Sequence, residues 1–512
     1  MRKFLLLAIA GCFFSSCEIL QFAPEDPIKG AGAVTLKFVQ MNDVYEIASL
    51  NGGEYGGLAR VAHIRDSIKE KFPNTYLFMA GDFLNPSLLG TLKVDGERIN
   101  GKQMIEVLNA MQIDLVTFGN HEFDLSEKEL QNRLNESNFT WTTANVRHVT
   151  EKGILPFSTK WDYSNVPTSD FSTFNAIDAD GNKMKFGVFG VTLPSNPKDY
   201  VYYGDIYENA KRAYDLAIQK SDFVVGLTHV AVEEDMEIAR QNRSLPLIMG
   251  GHEHYNMLEK EGRTIIAKAD ANAKSIYVHT LIYNLRTKYL HINSELMMVT
   301  DKIASSAKVE RVVNKWTELL DQKLKEVVEN PNEVIYHAST PLDGTDKANR
   351  SKQTNLGEII ARSMAYSYND KIDGAIVNGG SIRIDDRLVG DITSTDIFRV
   401  LPFGGTVLRM DLKGRLLTEI LNYGNNQSGT GAYLQRFNFS QDSDGSWSTN
   451  GNIILDNRKY SIAISDFLLK GLDIPFLTPE NKDIIKIYTP KESETASDIR
   501  KAIIFYLNSL KK

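Results

Sequence analysis

A chain of 512 residues with 42% hydrophobic content is long enough for about three domains of roughly 150 residues, each with a sizeable core. Its net charge of −7, with no basic cluster beyond the first three residues, argues against a nucleic-acid polymer as partner. Both cysteines, Cys12 and Cys17, lie near the start, so the body of the chain can form neither a disulfide nor a cysteine-based zinc site.

In chain order, Met1-Arg2-Lys3 and the apolar run from Phe4 to Ala10 read as a secretory signal, because that run is too short to cross a bilayer. A cysteine after small residues then resembles a bacterial lipoprotein processing site. Ser15-Ser16-Cys17 is the preferred site. Ile9-Ala10-Gly11-Cys12 fits the lipobox pattern better but leaves a very short signal, and plain cleavage with release is the alternative. Gln21 to Gly32, with two prolines, reads as a tether. Residues 1–32 are therefore expected to export the protein to the periplasm or cell surface and to hold it at a membrane by a lipid anchor. Oligomeric state is not legible.

The next 270 or so residues alternate strands with helices. Thr35 to Met41 is a strand ended by Asn42-Asp43, and Gly57 to Phe72 is helical. Tyr76 to Ala80 is a strand ended by Gly81-Asp82, and Gly101 to Met111 is helical. The apolar run Asp114 to Phe118 leads into Gly119-Asn120-His121-Glu122-Phe123-Asp124. Ser126 caps the next helix, with Glu129 completing a capping box. Strands follow at Lys185 to Val191, at Asp222 to Leu227 before Thr228-His229, and at Leu245 to Met249 before Gly250-Gly251-His252-Glu253-His254. From Thr264 to Thr300 the pattern is one of paired alternating strands. The whole predicts a layered sheet with helices outside.

Asp43, Asp82, Asn120, His229, His252 and His254 all fall at or just past the C-terminal end of a predicted strand. In open α/β sheets that edge is where ligands bind. A lone Asp after Gly is a turn former, and a lone strand-end His is usually a satisfied polar group. Six such residues on five strand ends are hard to assign to turns alone. Carboxylate, imidazole and amide oxygen together suit a divalent first-row metal.

On these motifs the chain resembles the calcineurin-like metallophosphoesterases, and more closely the 5′-nucleotidase family. The resemblance implies a four-layer α/β/β/α metallophosphoesterase domain over 33–303, a connector helix over 304–330, and a smaller α/β substrate-binding domain over 331–512. It implies two metal ions, zinc, manganese or iron, sharing Asp82. Asp43 and His254 would hold the first, and Asn120, His229 and His252 the second. His121 would stabilise charge on the phosphate or protonate the leaving oxygen, with Asp124 fixing its tautomer. One departure stands out. Where the family reads Asp-any-His, this chain reads Asp43-Val44-Tyr45. The phenol either ligates a hard ion or, as the preferred expectation, points away and leaves its place to water.

The resemblance continues beyond the charged amphipathic stretch from Ala304 to Glu329, whose Val309, Val313, Trp316 and Leu320 lie along one side. It assigns phosphate binding to Arg350 and Arg383, a base sandwich to Phe403 and Phe467, and nucleoside contacts to Asn378 and Asp473. The family's usual Gly-Gly-Asp-Gly reads Gly471-Leu472-Asp473-Ile474, a stiffer and more apolar loop. No Gly-x-Ser-x-Gly elbow and no phosphate-cradling Gly-x-x-x-x-Gly-Lys-Ser/Thr loop occurs. The expected activity is release of phosphate from nucleotides. Nucleotide sugars or 2′,3′-cyclic nucleotides are alternative substrates, and a catalytically weakened nucleotide-binding surface protein is the alternative of another class.

Overall fold

The computed structural model describes residues 32–511 except 163, 179, 196, 370 and 385. The expected signal, both candidate lipidation cysteines and nearly all of the tether lie outside the described residues. Among those residues no helix is long and apolar enough to cross a membrane.

The strands that build the first half are β1 (Ala33–Met41), β2 (Thr75–Ala80), β3 (Leu115–Thr117), β4 (Thr140–Thr142), β5 (Phe171–Ile177), β6 (Lys183–Thr192), β7 (Phe223–His229), β8 (Leu247–Gly250), β9 (Met257–Glu261), β10 (Thr264–Lys268), β11 (Ser275–Asn284) and β12 (Leu290–Met298). They form two six-stranded sheets, ordered β12-β11-β1-β2-β3-β4 and β5-β6-β7-β8-β10-β9. β1 to β4 run parallel, as do β6, β7, β8 and β10. The period of two along β1 explains how the sheets stack. Val34, Leu36 and Phe38 enter the core between the sheets, whereas Val39 and Met41 enter the core under the helices. β2 repeats this, with Phe78 and Ala80 inward and Leu77 and Met79 outward. Phe38 contacts Phe78 edge-on at 5.1 Å and Phe186 of the facing sheet at 4.9 Å.

Helices α1 (Leu58–Lys71), α2 (Lys102–Met111) and α3 (Glu127–Glu136) cover the first sheet, while α4 (Ile206–Ile218) and α5 (Val232–Gln241) cover the second. The Ser126–Glu129 capping box is present at the start of α3. The result is the four-layer α/β/β/α arrangement. The segment from Thr264 to Thr300 departs from a simple paired set. β11 and β12 form the expected hairpin, but β10 belongs to the other sheet, parallel to β8 and antiparallel to β9. A short 3-10 turn at Ala271–Ala273 carries the chain from one sheet to the other.

The charged amphipathic stretch forms α6 (Ala307–Lys325), slightly shorter than the pattern implied. Val309, Val313 and Trp316 pack into the first half, and the Trp316 indole N–H donates to Glu106 Oε2 at 3.0 Å. The second half is built on β13 (Gly374–Asn378), β14 (Val407–Lys413), β15 (Leu434–Phe437), β16 (Lys459–Ser465) and β17 (Ile484–Tyr488), ordered β15-β13-β16-β14-β17. α7 (Asn355–Tyr366) and α9 (Ile499–Ser509) pack on one face, and α8 (Gly414–Asn426) on the other.

One buried histidine belongs to this framework. His279 of β11 sits fully buried between Gln40 Oε1 (2.9 Å) and Ser294 Oγ (2.8 Å), and burial holds its pKa down at about 3. The folded state keeps it neutral, whereas the unfolded chain takes up a proton near the ordinary value of 6.5. Its contribution is complete above pH 6.5 and declines as pH falls toward 3, by about 1.4 kcal/mol per pH unit. Thermal melts between pH 4 and 7 should show a shallower acid slope for His279→Gln than for the wild type. Equal slopes would mean that the imidazole titrates alike in both states.

Candidate metal centre

Five strand ends meet at one edge of the two sheets. Asp43 follows β1, Asp82 follows β2, Asn120 follows β3, His229 ends β7, and His252 and His254 follow β8. The edge is closed tightly across the two sheets. His229 Nδ1 lies 2.7 Å from the carbonyl of Ala80, which leaves Nε2 facing the carboxylates. Asp43, Asp82 and His252 all have left-handed backbone, with φ of 53°, 54° and 86°. Such conformations cost free energy and persist only where their surroundings over-determine them. Gly119 is required by close approach, because a Cβ there would lie 2.1 Å from Asp82 Oδ1.

Asp43, Asp82 and His229 each turn a donor atom into one space, the three atoms lying within 4.8 Å of one another. His229 Nε2 is 3.1 Å from Asp82 Oδ2 and 3.9 Å from Asp43 Oδ1. His254 Nε2 is 3.3 Å from Asp43 Oδ1. His252 donates its backbone N–H to Asp43 Oδ2 at 2.9 Å, and its ring stands 5.6 Å from that of His229. Asn120 is buried. Asp43 Oδ1 and His229 Nε2 are buried without a well-aligned hydrogen bond, an arrangement that a bound cation would satisfy. Burial works against protonated His229, yet Asp82 and Asp43 draw its pKa up to about 9. A bound cation would take the place of that proton, because a ligating imidazole is neutral. Burial and the neighbouring His229 push His252 the other way, to about 4. These nitrogen and oxygen donors fit a divalent first-row ion.

His121 stands beside this cluster. Its Nδ1 is 2.8 Å from Asp124 Oδ2, and its backbone N–H donates to Asp82 Oδ1 at 2.8 Å. Burial alone would lower its pKa, but Asp82 and Asp124 raise it to about 9. Asp124, despite its burial, is held well below the usual carboxylate range by His121, Arg383 and Asn85.

Tyr45 does not point away. The residue is 5% exposed, and its hydroxyl lies 3.3 Å from Asp82 Oδ2 and 3.1 Å from His254 Nε2. Asn272 Oδ1 accepts the backbone N–H groups of both Tyr45 and Glu46, at 3.0 and 3.1 Å, and fixes the loop with the ring turned inward. Contrary to the outward orientation expected, the length of the phenol carries the hydroxyl in among the carboxylate and imidazole groups.

The second half reaches the same place. Arg383 donates to Asp124 Oδ2 at 2.9 Å, and its guanidinium lies 6.0 Å from the Phe403 ring centre. Phe403 is 52% exposed and lines a cavity of about 230 Å³ with Asn85, Arg98, Asp124 and Arg383. Phe467 follows Asp466, whose backbone N–H donates to Thr406 O at 3.0 Å, so the two phenylalanines occupy neighbouring loops. Asn378 donates to Asp473 Oδ2 at 2.8 Å. Burial raises the pKa of Asp473, with Asn378 and the nearby charge of Arg350 opposing. Arg350 itself pairs with Asp346 at 2.8 Å.

Residues 36–256 match the family of calcineurin-like phosphoesterases, and residues 334–478 match the 5′-nucleotidase C-terminal domain. The chain is 29% identical over 406 residues to a trifunctional nucleotide phosphoesterase of Bacillus subtilis (strain 168), an alignment covering 72% of this chain but only 27% of that longer protein. It is 26% identical over 475 residues to a snake venom 5′-nucleotidase of Gloydius brevicauda, covering 83% of this chain and 75% of the relative. Its fold is similar to that of a 5′-nucleotidase precursor from Thermus thermophilus, with a TM-score of 0.66 at 21% identity over 93% of this chain and 97% of the other.

Sequence reasoning assigned no role to Glu122 or Asn85. Asn85 donates to Asp124 Oδ2 at 2.8 Å. Glu122 is fully buried and accepts four backbone N–H groups: Asp82 (2.9 Å) and Gly119 (2.6 Å) on Oε2, Phe83 (2.8 Å) and Leu84 (3.0 Å) on Oε1. One carboxylate thus joins the loops after β2 and β3. Its place within a motif of site residues was the only signal available. Burial and the adjacent Asp82 push its pKa up to about 7, while the backbone donors oppose the rise. Glu122→Gln would aim an amide N–H₂ at groups that can only donate. Chemical denaturation should show a loss of about 1–3 kcal/mol, the usual cost of an unsatisfied buried group. An unchanged denaturation midpoint would remove Glu122 from this role.

Proposed function

Because the chain belongs to the 5′-nucleotidase family of calcineurin-like metallophosphoesterases, we propose that it is a phosphohydrolase that releases phosphate from nucleotides. The observation that supports this most directly is the contact of Arg383 with Asp124 at 2.9 Å. It brings a phosphate-matching guanidinium and the exposed ring of Phe403 against the His121–Asp124 pair and the buried donor cluster. In this reading Asp43, Asp82 and His254 hold one ion, and Asp82, Asn120, His229 and His252 hold the other. When bound, the ions supply Lewis acidity to the phosphoryl group and to the attacking water.

The chain's own groups do the rest. Arg383 and Arg350 receive phosphate oxygens, since guanidinium forks match their geometry. His121, paired with Asp124, donates a proton to the departing oxygen. Asp124 holds the imidazole by Nδ1 and presents Nε2 to the cleft. Phe403 and Phe467 flank the base, and Asn378 with Asp473 bonds the nucleoside. Tyr45 steadies Asp82 by hydrogen bonding. The basic start, apolar run and Cys17 of the leader support export and lipid attachment at the periplasmic or outer surface.

The deciding experiment measures inorganic phosphate released from 5′-nucleoside monophosphates, 2′,3′-cyclic nucleotides, a nucleotide sugar and an aryl phosphate, using metal-replete and chelator-stripped protein. Metal-dependent release from 5′-monophosphates is expected. No release from any of them, with metal shown to be bound, would end the enzymatic reading and leave a binding protein. His121→Ala should retain its metal and lose about 10²–10⁴ in turnover, the usual range for a lost acid–base group. Metal loss in that variant would make His121 a ligand.

A further inference from the structure

We infer that Lys268 is a positioning residue for the metal centre, a single buried ammonium that anchors the loops carrying three candidate imidazole ligands. The inference rests on the reading that His229, His252 and His254 hold metal. Lys268 ends β10 in register with Gly250 of β8, and its side chain is fully buried. Its Nζ donates to Val230 O at 2.7 Å, pairs with Asp235 Oδ2 at 2.9 Å, and pairs with Glu253 Oε2. The contacts with Val230 O and Glu253 Oε2 are hydrogen bonds, and Asp235 is held as a close ion pair.

Each contact leads to a candidate ligand. Val230 directly follows His229. Asp235, in the first turn of α5, accepts the hydroxyl of Thr228, which directly precedes His229, at 2.6 Å. Glu253 lies between His252 and His254, and its other oxygen accepts the backbone N–H of Val232 at 2.6 Å. The turn after β7 and the turn after β8 are therefore tied together through one cation. The chain makes room for it at Gly250, where a Cβ would lie 2.8 Å from Lys268 Cε and 3.0 Å from Asp235 Oδ2. A neutral residue at 268 would leave a buried carboxylate, Asp235, and a partly buried one, Glu253, without their shared cation, beside loops whose geometry sets the donor atoms.

Groups that orient metal ligands typically change metal affinity by about 10–100-fold when removed. Three proteins test this one: Lys268→Met, Glu253→Gln, and the triple variant Lys268→Met/Asp235→Asn/Glu253→Gln. Glu253→Gln leaves Lys268 its partner Asp235, and the triple variant removes every charge of the network together, so a folded protein remains to be measured if Lys268→Met misfolds. Metal content is read across a graded chelator series, alongside the melting temperature of stripped protein. Metal retention weakened about 10–100-fold in the triple variant, at a melting temperature close to wild type, is the expected result, with a smaller weakening in Glu253→Gln. Lowered melting temperatures with an unchanged chelator series would make the network structural only and overturn the inference. A wild-type protein that takes up no metal would overturn the ligand reading and this inference with it. A protein that holds metal but releases no phosphate would overturn the proposed activity alone.

Discussion

Two carboxylates, Asp43 and Asp82, are buried almost side by side, and much of the first half is arranged to permit it. Neither has a lysine or arginine partner among the described residues. Asp43 is supported by the Asn42 amide (2.8 Å) and the His252 backbone N–H (2.9 Å), and Asp82 by the His121 backbone N–H (2.8 Å) and the Tyr45 hydroxyl (3.3 Å). Despite the penalty of burial, His229 and its neighbours hold both below the usual carboxylate range. The backbone is unfavourable too, with three left-handed non-glycine residues at an edge where a relaxed loop would have none. Each costs on the order of 1–3 kcal/mol. That free energy has to come from elsewhere, and the core between the sheets is the available source. Phe38, Phe78 and Phe186 pack together between the sheets and fix the strands that carry that edge.

This dependence explains which parts of the site could be read in the sequence. A strand that must be buried on both faces is written as an apolar run, and the residue that ends it is conspicuous because it is polar. Asp43, Asp82, Asn120, His229, His252 and His254 were legible for that reason. Asn85, which reaches Asp124, lies beyond any strand end and gave no such signal. The inward turn of Tyr45 depends on Asn272, a residue 227 positions away, and no local pattern encodes it. The role of Glu122 depends on four backbone N–H groups, which every residue type carries alike. The exchange of β10 into the second sheet was hidden because strand pattern records burial and not partner.

The resemblance named the second-half residues, but it did not show how they stand toward the first half. The structure supplies that in charged contacts. Arg383 meets Asp124 at 2.9 Å, Arg399 meets Glu46 at 3.4 Å, and Lys274 pairs with Asp386. The larger apolar clusters stay within one half or the other, whereas Leu88, Leu324 and Phe398 form a small one that includes both. An interface of this kind gains little from dehydration, and its partly buried ion pairs hold orientation more than they add stability.

The Arg383–Asp124 pair is the contact through which that orientation bears on chemistry. Asp124 already receives His121, Asn85 and Arg383, so its charge is spread over three donors. Arg383 lowers the pKa of His121 while Asp124 and Asp82 raise it, so the position of the second half sets how tightly the imidazole keeps its proton. In the proposed reaction a phosphate in the cleft would give Arg383 a second anion and weaken its hold on Asp124. Asp124 would then act on His121 with less opposition, at the stage when the imidazole must remain protonated. In that reaction a guanidinium shared between substrate and the dyad would link recognition by the second half to proton donation in the first. That link needs no group other than those already in contact, and a lysine at 383, lacking the fork, could not serve both anions in this way.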